Sequence, residues 1–374
     1  MRIGCPRENK DAERRVGLTP TSVRELVAHG HEVTVEKGAG TGIGATDLDY
    51  TTAGASIEAN VDRVWGSADM IVKVKEPQAD ERARLRPGQI LFTYLHLAPD
   101  PAQTNDLLAS GATCVAYETV TDPHGGLPLL APMSQVAGRM SIQAGAFALE
   151  APQGGAGLLL GGVPGVPSGR VVVIGGGVVG ENAIEMAIGL GAQVNVLDRD
   201  LDVLGRLARR FGAELETVYS TTAALEHLVT NADLVIGAVL IRGARAPKLV
   251  TAEMVTQMRP GSVLVDVAID QGGCFETSRA TTHSDPTYLV DGVVHYCVAN
   301  MPGAVPKTST YALNNATLPF ILAIADKGID AALRDDVHLR NGLNVHRGLL
   351  TEQHVADAQG LDHTDPLDAL AATG

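Results

Sequence analysis

Several polar residues of this chain fall where apolar, strand-like segments end. Lys75 closes IVKVKEP, His96 closes ILFTYLHL, Asp270 follows the apolar run of VLVDVAIDQGG, and Asn300 follows HYCVAN. Arg15 lies in the loop before the first amphipathic helix. Ligands of open α/β sheets bind outside the carboxyl ends of the strands, so these are the positions where reactive side chains are useful. A lysine or arginine there can hold a carboxylate through charge-assisted hydrogen bonds. A histidine can move a proton near neutral pH, and an aspartate can steer water. Each also has a plainer reading: Lys75 as a solvated loop lysine beside Glu76, His96 as a hydrogen-bonded buffer between sheet and loop, Asp270 as the cap of the QGG turn, Arg15 as surface charge next to Arg14.

A second constellation is more specific. The stretch RVVVIGGGVVG, residues 170–180, sets a β-branched run against glycines spaced G-x-G-x-x-G at Gly175, Gly177 and Gly180. Helical spacing of apolar residues follows, and then a second strand, QVNVLD, ends in Asp198, 18 residues beyond Gly180. This is the order of a dinucleotide fingerprint. Gly175 permits the tight turn, Gly177 lets backbone approach a pyrophosphate, and Gly180 lets the helix pack closely on the strand. The helix N-terminus offers unpaired N–H groups and its positive dipole end to the phosphates. Asp198 would bind the adenosine ribose and repel a 2′-phosphate, which favours NAD over NADP; Arg199 beside it weakens that repulsion.

The elements that would position these residues are legible as alternating patterns. Residues 1 to about 130 alternate short strands (RIGCP, EVTVE, MIVKV, ILFTYL, TCVAYE) with amphipathic helices such as Ser22–His29 and Pro101–Ser110. A long helix is expected from Ser134 as N-cap to about Glu150. The alternation resumes from Arg170 to about Asn300 with VVVIG, QVNVLD, DLVIGAV, VLVDVA and VVHYCVA, and the tail returns to helix over about Pro306–Lys327 and near Thr351–Gln359. A tail of about 70 residues is too short for a domain of typical size, so it is expected to pack on the first region. The expected fold is α/β with two domains. A Rossmann dinucleotide-binding domain (131–304, with a leading helix) is inserted into a second parallel α/β substrate domain (1–130 and 305–374), with long connecting helices.

Composition narrows the function classes. A net charge of −14 disfavours nucleic acid and anionic membranes as partners. The N-terminus MRIGCPRENK has no apolar signal core, and the longest uncharged run, Ala151–Gly169, carries seven glycines and three prolines, which suits a loop and not a membrane span. The cysteines Cys5, Cys114, Cys274 and Cys297 are scattered without a C-x-x-C pair, which fits reduced thiols in a cytoplasmic protein and no metal site.

Several longer motifs carry a family resemblance. RRVGLTP (14–20), VKVKEP (72–77), LFTYLHLA (91–98), PMSQVAGRMS (132–141), GGVPGV (161–166), IGAVLIRGARAPKL (236–249), DVAIDQGGCFETSR (266–279) and VANMPGAVPKTSTYALNNATLP (298–319) resemble the bacterial L-alanine dehydrogenase family over nearly the whole chain. The resemblance implies NAD-dependent conversion of L-alanine to pyruvate and ammonium by a cytoplasmic homo-hexamer. It implies His96 and Asp270 as catalytic and Arg15 and Lys75 as substrate-binding residues. Implied cofactor contacts are Ser134, Val178, Val179, Asp198, Ser220, Val239, Leu240, the stretch Val267, Ala268, Ile269 and Asp270, Arg279, and Val298, Ala299, Asn300 and Met301. The family often has a basic residue where this chain has Val203, so Arg199 and Arg206 are the candidates to replace it near the adenosine. The alternative reading is the soluble NAD-binding component of a proton-translocating transhydrogenase, which is similar in both domains; a saccharopine- or lysine-type dehydrogenase is more distant.

Overall fold

The computed structural model describes residues 1–239 and 246–372. The chain forms two compact units, one built from Met1–Met133 with Val305–Gly374, the other from Ser134–Ala304. In the first, strands β1 (Arg2–Cys5), β2 (Glu32–Glu36), β3 (Ser56–Glu58), β4 (Met70–Val72), β5 (Ile90–Thr93) and β6 (Thr113–Ala116) are all parallel. In β4, β5 and β6 every residue is buried, as strands covered on both faces require. The core beside them gathers Trp65, Ile71, Leu91, Leu107 and Cys114.

The second unit contains β7 (Arg170–Ile174), β8 (Gln193–Asp198), β9 (Leu215–Tyr219), β10 (Leu234–Gly237), β11 (Val263–Asp266), β12 (Thr287–Val290) and β13 (Val293–Tyr296). They lie in the order β12-β13-β11-β10-β7-β8-β9, parallel except for β12. The chain leaves β7 toward β8 on one side and returns to β10 on the other, so the order reverses beside β7, where the glycine loop begins. The tail then adds β14 (Leu343–His346) antiparallel to β6 and β15 (Leu349–Leu350) antiparallel to β14, which completes the first sheet as β15-β14-β6-β5-β4-β1-β2-β3.

The structure departs from the sequence expectations in several elements. The long helix spans Ala131–Ala148, so Pro132 occupies its first turn, where its missing N–H costs nothing, and Ser134 lies inside the helix instead of capping it. The tail helix near residue 351 begins at Gln353, with Glu352 accepting the Val355 N–H as its cap. Strands β3, β9, β12, β14 and β15 had no reading in the sequence; β3, β9, β12 and β15 are sheet edges, where half-exposed residues blur the apolar pattern. The first sheet is therefore mixed, and the tail contributes strands as well as helices. All four cysteines are free and buried. Among the described residues, no helix is long and apolar enough to cross a membrane.

The turn from β7 into the helix Val178–Gly189 separates two kinds of glycine. A Cβ on Gly180 would lie 1.8 Å from the Gly175 carbonyl oxygen, a backbone atom that cannot step aside. A Cβ on Gly177, whose φ is −70°, meets nothing within 4 Å. Protein packing thus demands glycine at position 180 and leaves position 177 open. Gly180→Ala is expected to cost about 1–3 kcal/mol of stability as an overpacking change, although alanine is the better helix former. Gly177→Ala should stay within about 0.5 kcal/mol of the parent. Denaturation followed by circular dichroism measures both; equal midpoints for the two variants would contradict this reading of the turn.

Candidate active site

His96 follows the carboxyl end of β5 by three residues, in a left-handed conformation with φ +50° that a side-chain-bearing residue rarely adopts. Two contacts hold it there. The Glu118 carboxylate, just past β6, accepts the His96 N–H at 2.6 Å and the Leu95 N–H at 3.1 Å. The imidazole stacks on Tyr94 with ring centroids 5.7 Å apart and planes 3° from parallel. Tyr94 is itself fixed by donating its hydroxyl to the Leu129 carbonyl at 2.6 Å, and burial pushes its pKa well up, so it remains a neutral donor. The His96 side chain is 45% exposed, with Nδ1 3.8 Å from Glu118. The imidazole is thus presented at the surface of the unit and is not sealed into the core.

Lys75 lies one strand over, past the end of β4, and is half-buried. Its carbonyl accepts the Thr93 hydroxyl at 2.9 Å and its N–H reaches Glu8 at 3.3 Å. Arg15 is 2% exposed, so it is not surface charge. Its guanidinium makes a forked pair with Glu13, Nε to Oε1 at 2.7 Å and Nη2 to Oε2 at 2.5 Å, while Nη1 approaches the Met133 sulfur at 3.1 Å. Burial alone would lower the Arg15 pKa, but the Glu13 carboxylate outweighs it and holds the charge. The segment after Arg15 is tied to the tail helix Pro306–Lys327, where Asn314 accepts the Thr19 N–H at 2.8 Å and donates to the Gly17 carbonyl at 2.7 Å. Within the first unit, Lys75 and His96 therefore follow the carboxyl ends of the neighbouring strands β4 and β5, and Arg15 lies in the loop that leaves the adjacent strand β1.

In the second unit the predicted cofactor residues follow the carboxyl ends of six parallel strands. Gly175 and Gly177 follow β7, Asp198 ends β8, Ser220 follows β9, Val239 follows β10, Val267–Asp270 follow β11, and Val298–Met301 follow β13. Ser134 lies on the helix Ala131–Ala148, and Arg279, in the β11–β12 connection, lies over the Tyr288 ring at 3.9 Å. Leu240 lies outside the described residues. The Asp198 carboxylate accepts the Gly176 N–H at 2.7 Å and the Asp200 N–H at 2.9 Å, so it shapes the glycine loop as well as standing at its rim. The helix after that loop has no side-chain cap at Gly177, and Val178 at its start is 43% exposed. Uncapped N–H groups, an open position beside Gly177 and a carboxylate at the next strand end suit a dinucleotide phosphate and ribose.

The plainer reading of Asp270, as the cap of the QGG turn, does not hold. Asp266, fully buried at the end of β11, braces the segment around that turn, accepting the N–H groups of Ala268 at 3.1 Å, Cys274 at 2.9 Å and Phe275 at 3.4 Å and the Ser278 hydroxyl at 2.5 Å. Burial pushes the Asp266 pKa up against the pull of these donors. Asp270 is left exposed on the short helix Val267–Gln271. Arg206, one of the two candidates to stand in for a basic residue at 203, pairs with Glu181 and donates to the Gly176 carbonyl. Val203 instead packs beside Gly176, and Arg199 is exposed. The sequence reading also passed over Glu8, Glu13, Tyr94, Glu118 and Asp266. The one available signal was that each stands close to a strand end, as the reactive candidates do.

Comparisons with known proteins agree with one another. Residues 4–137 match the family described as Alanine dehydrogenase/PNT, N-terminal domain, and residues 141–353 match Alanine dehydrogenase/PNT, C-terminal domain. An alanine dehydrogenase of Halomonas elongata is 62% identical over 365 residues, covering 98% of each chain. A solved L-alanine dehydrogenase superposes with a TM-score of 0.94 at 53% identity, covering 96% of this chain and 99% of its own. A solved transhydrogenase from Sinorhizobium meliloti shares the fold, with a TM-score of 0.83 at 24% identity over 94% of this chain and 100% of its own. With both halves matched and a full-length relative at this identity, the chain belongs to the alanine dehydrogenase/PNT family.

Proposed function

We propose that this chain is an L-alanine dehydrogenase, in which L-alanine, NAD⁺ and water give reversibly pyruvate, ammonium, NADH and a proton. The first unit is the substrate domain and the second the dinucleotide domain. The observation that carries the reading is that Lys75 and His96 follow adjacent strand ends, with Arg15 buried in the loop after the neighbouring strand, in a chain 62% identical to a named alanine dehydrogenase. The transhydrogenase reading has weaker support, since a relative at 24% identity speaks only for the fold. The active form is a cytoplasmic homo-hexamer with small-molecule substrates only.

Arg15 and Lys75 bind the alanine carboxylate, and Glu13 keeps the Arg15 fork oriented while it does so. The uncapped helix start at Val178, the bare backbone at Gly177 and the Asp198 carboxylate would hold NAD, and Ser220, Val239, the stretch Val267–Asp270, Arg279 and Val298–Met301 would line the same site. Bound there, NAD supplies the acceptor for the hydride that leaves the alanine Cα. His96 takes and returns the protons of the water that adds to the resulting imine and of the departing ammonia. Asp270, exposed and clear of the turn that Asp266 builds, orients that water. Holding the reactants in line supplies a large share of the acceleration.

The direct test is NADH formation from a panel of amino acids, each offered with NAD⁺ and with NADP⁺. L-Alanine with NAD⁺ should give the highest kcat/KM; a preference for a longer amino acid, or no turnover without a membrane partner, would overturn the assignment. His96→Ala should lower kcat by about 10²–10⁴-fold with NADH affinity unchanged. More than a tenth of the parent kcat in that variant would remove His96 from proton transfer.

Cofactor choice rests on Asp198. Because its carboxylate also accepts the Gly176 N–H, Asp198→Asn is the cleaner variant: it keeps a carbonyl acceptor for the loop and removes the charge that repels a 2′-phosphate. The parent should prefer NAD⁺ by roughly 10-fold, about 1.4 kcal/mol, and the variant should lose most of that preference. The ratio of kcat/KM for NAD⁺ and NADP⁺ at saturating alanine reads the effect, and an unchanged ratio would move the ribose elsewhere. Gly177→Ala, neutral for stability, should weaken NADH binding.

A further inference from the structure

The chain contains a lysine that the proposed reaction does not use. Lys73 is fully buried, two residues before Lys75, with its ammonium 2.6 Å from Glu81 and 3.2 Å from Glu8, and both carboxylates are themselves nearly inaccessible. Burial opposes the charge on Lys73, yet the two carboxylates raise its pKa above the usual lysine value. Burial pushes the Glu81 pKa up against the pull of Lys73. A buried ion cluster of this kind contributes little net stability, because desolvation offsets its Coulomb gain. Its retention calls for another reason, and the hydrogen bonds of Glu8 supply one.

Strand β1 ends at Cys5, paired with β4 only through Ile3–Met70 and Gly4–Ile71. The chain of β4 runs on beside β5, with the Lys73 N–H on the Phe92 carbonyl at 3.2 Å and the Tyr94 N–H on the Val74 carbonyl at 3.3 Å. On the other side the backbone of β1 has gone. Glu8 takes its place: Oε1 accepts the Val74 N–H at 2.7 Å and Oε2 the Lys75 N–H at 3.3 Å. Thr93 closes the clamp from β5 by donating to the Lys75 carbonyl at 2.9 Å. The same β1-to-helix loop carries Glu13, which orients Arg15, and Gly17, where a Cβ would lie 2.4 Å from the Val72 carbonyl oxygen, so the loop rests directly on the end of β4.

We propose that Glu8 is a positioning residue for Lys75: its carboxylate replaces the missing edge of β1, fixes the backbone from which the Lys75 ammonium reaches the substrate carboxylate, and is kept in place by Lys73 and Glu81. One loop thereby sets both substrate-binding cations, Lys75 through Glu8 and Arg15 through Glu13. This rests on the reading of Lys75 as a substrate-carboxylate ligand.

The experiment is a double-mutant cycle on the full-length enzyme with Glu8→Gln, Lys75→Gln and both together, measuring KM and kcat for L-alanine and pyruvate and KM for the cofactor. Glu8→Gln should raise KM for alanine and pyruvate by about 10-fold, with KM for NAD⁺ changed less than about 2-fold, because one charge-assisted bond to the Lys75 backbone is lost. In the Lys75→Gln background it should change nothing further. A full 10-fold effect in that background, or an equal rise in KM for NAD⁺, overturns the positioning role and leaves Lys75 as a ligand. An unchanged kcat/KM in Lys75→Gln alone overturns the ligand reading and the positioning role with it. Should Glu8→Gln fold poorly, Glu8→Gln/Lys73→Met/Glu81→Gln removes the remaining buried ion pair as well. That protein should still show the raised alanine KM, and a parental KM in it, once folded, refutes the proposal.

Discussion

Parallel strands end with backbone N–H groups that no neighbouring strand can accept, and in this protein carboxylates meet that need. Glu8 accepts from Val74 and Lys75, Glu118 from Leu95 and His96, Asp198 from Gly176 and Asp200, and Asp266 from Ala268, Cys274 and Phe275. An unpaired buried N–H costs about 1–3 kcal/mol, a penalty that Glu8 removes at Val74 and Asp266 at Cys274 and Phe275, where the bonds are buried. Each turn in its place carries a candidate site residue. The backbone of Lys75, the left-handed bend at His96, the glycine loop and the segment before Asp270 all depend on the same device.

Backbone strain coincides with one of these turns. Among the described residues, five without a glycine's freedom have positive φ, and His96 and Asn300 are two of them. Such conformations cost of order 1–3 kcal/mol each and persist where surrounding contacts over-determine them. At His96 the contacts are identifiable as the Glu118 carboxylate and the Tyr94 ring. The imidazole is thereby left at the surface of the unit while its backbone N–H is held by Glu118.

The two units differ in what they present past their strand ends. The first offers Lys75 and His96 beyond β4 and β5; the second offers a helix start with no side-chain cap at Gly177 and the Asp198 carboxylate at the end of β8. Val203 packs beside Gly176, and Arg206 is drawn into the ion-pair cluster around Glu181.

What the sequence determined by itself is what depends on neighbours along the chain. The β-branched run before Gly175, the steric need for glycine at 180, the acid ending β8 and the long helix Pro306–Lys327 are set by dihedral preference and short-range periodicity, and were legible as spacing. The motifs around Lys75, His96 and Asp270 pointed to reactive residues because strand ends can be located by pattern. Tertiary structure alone decided which carboxylates serve them. Glu8 and Val74 are 66 residues apart, and Glu118 and His96 are 22 apart, so no local pattern records the bond. It also decided that Asp266 and not Asp270 builds the turn, that Arg15 is buried against Glu13, and that β14 closes on β6, because burial and strand pairing are properties of the packed chain, and His346 of β14 lies 233 residues from its partner Thr113.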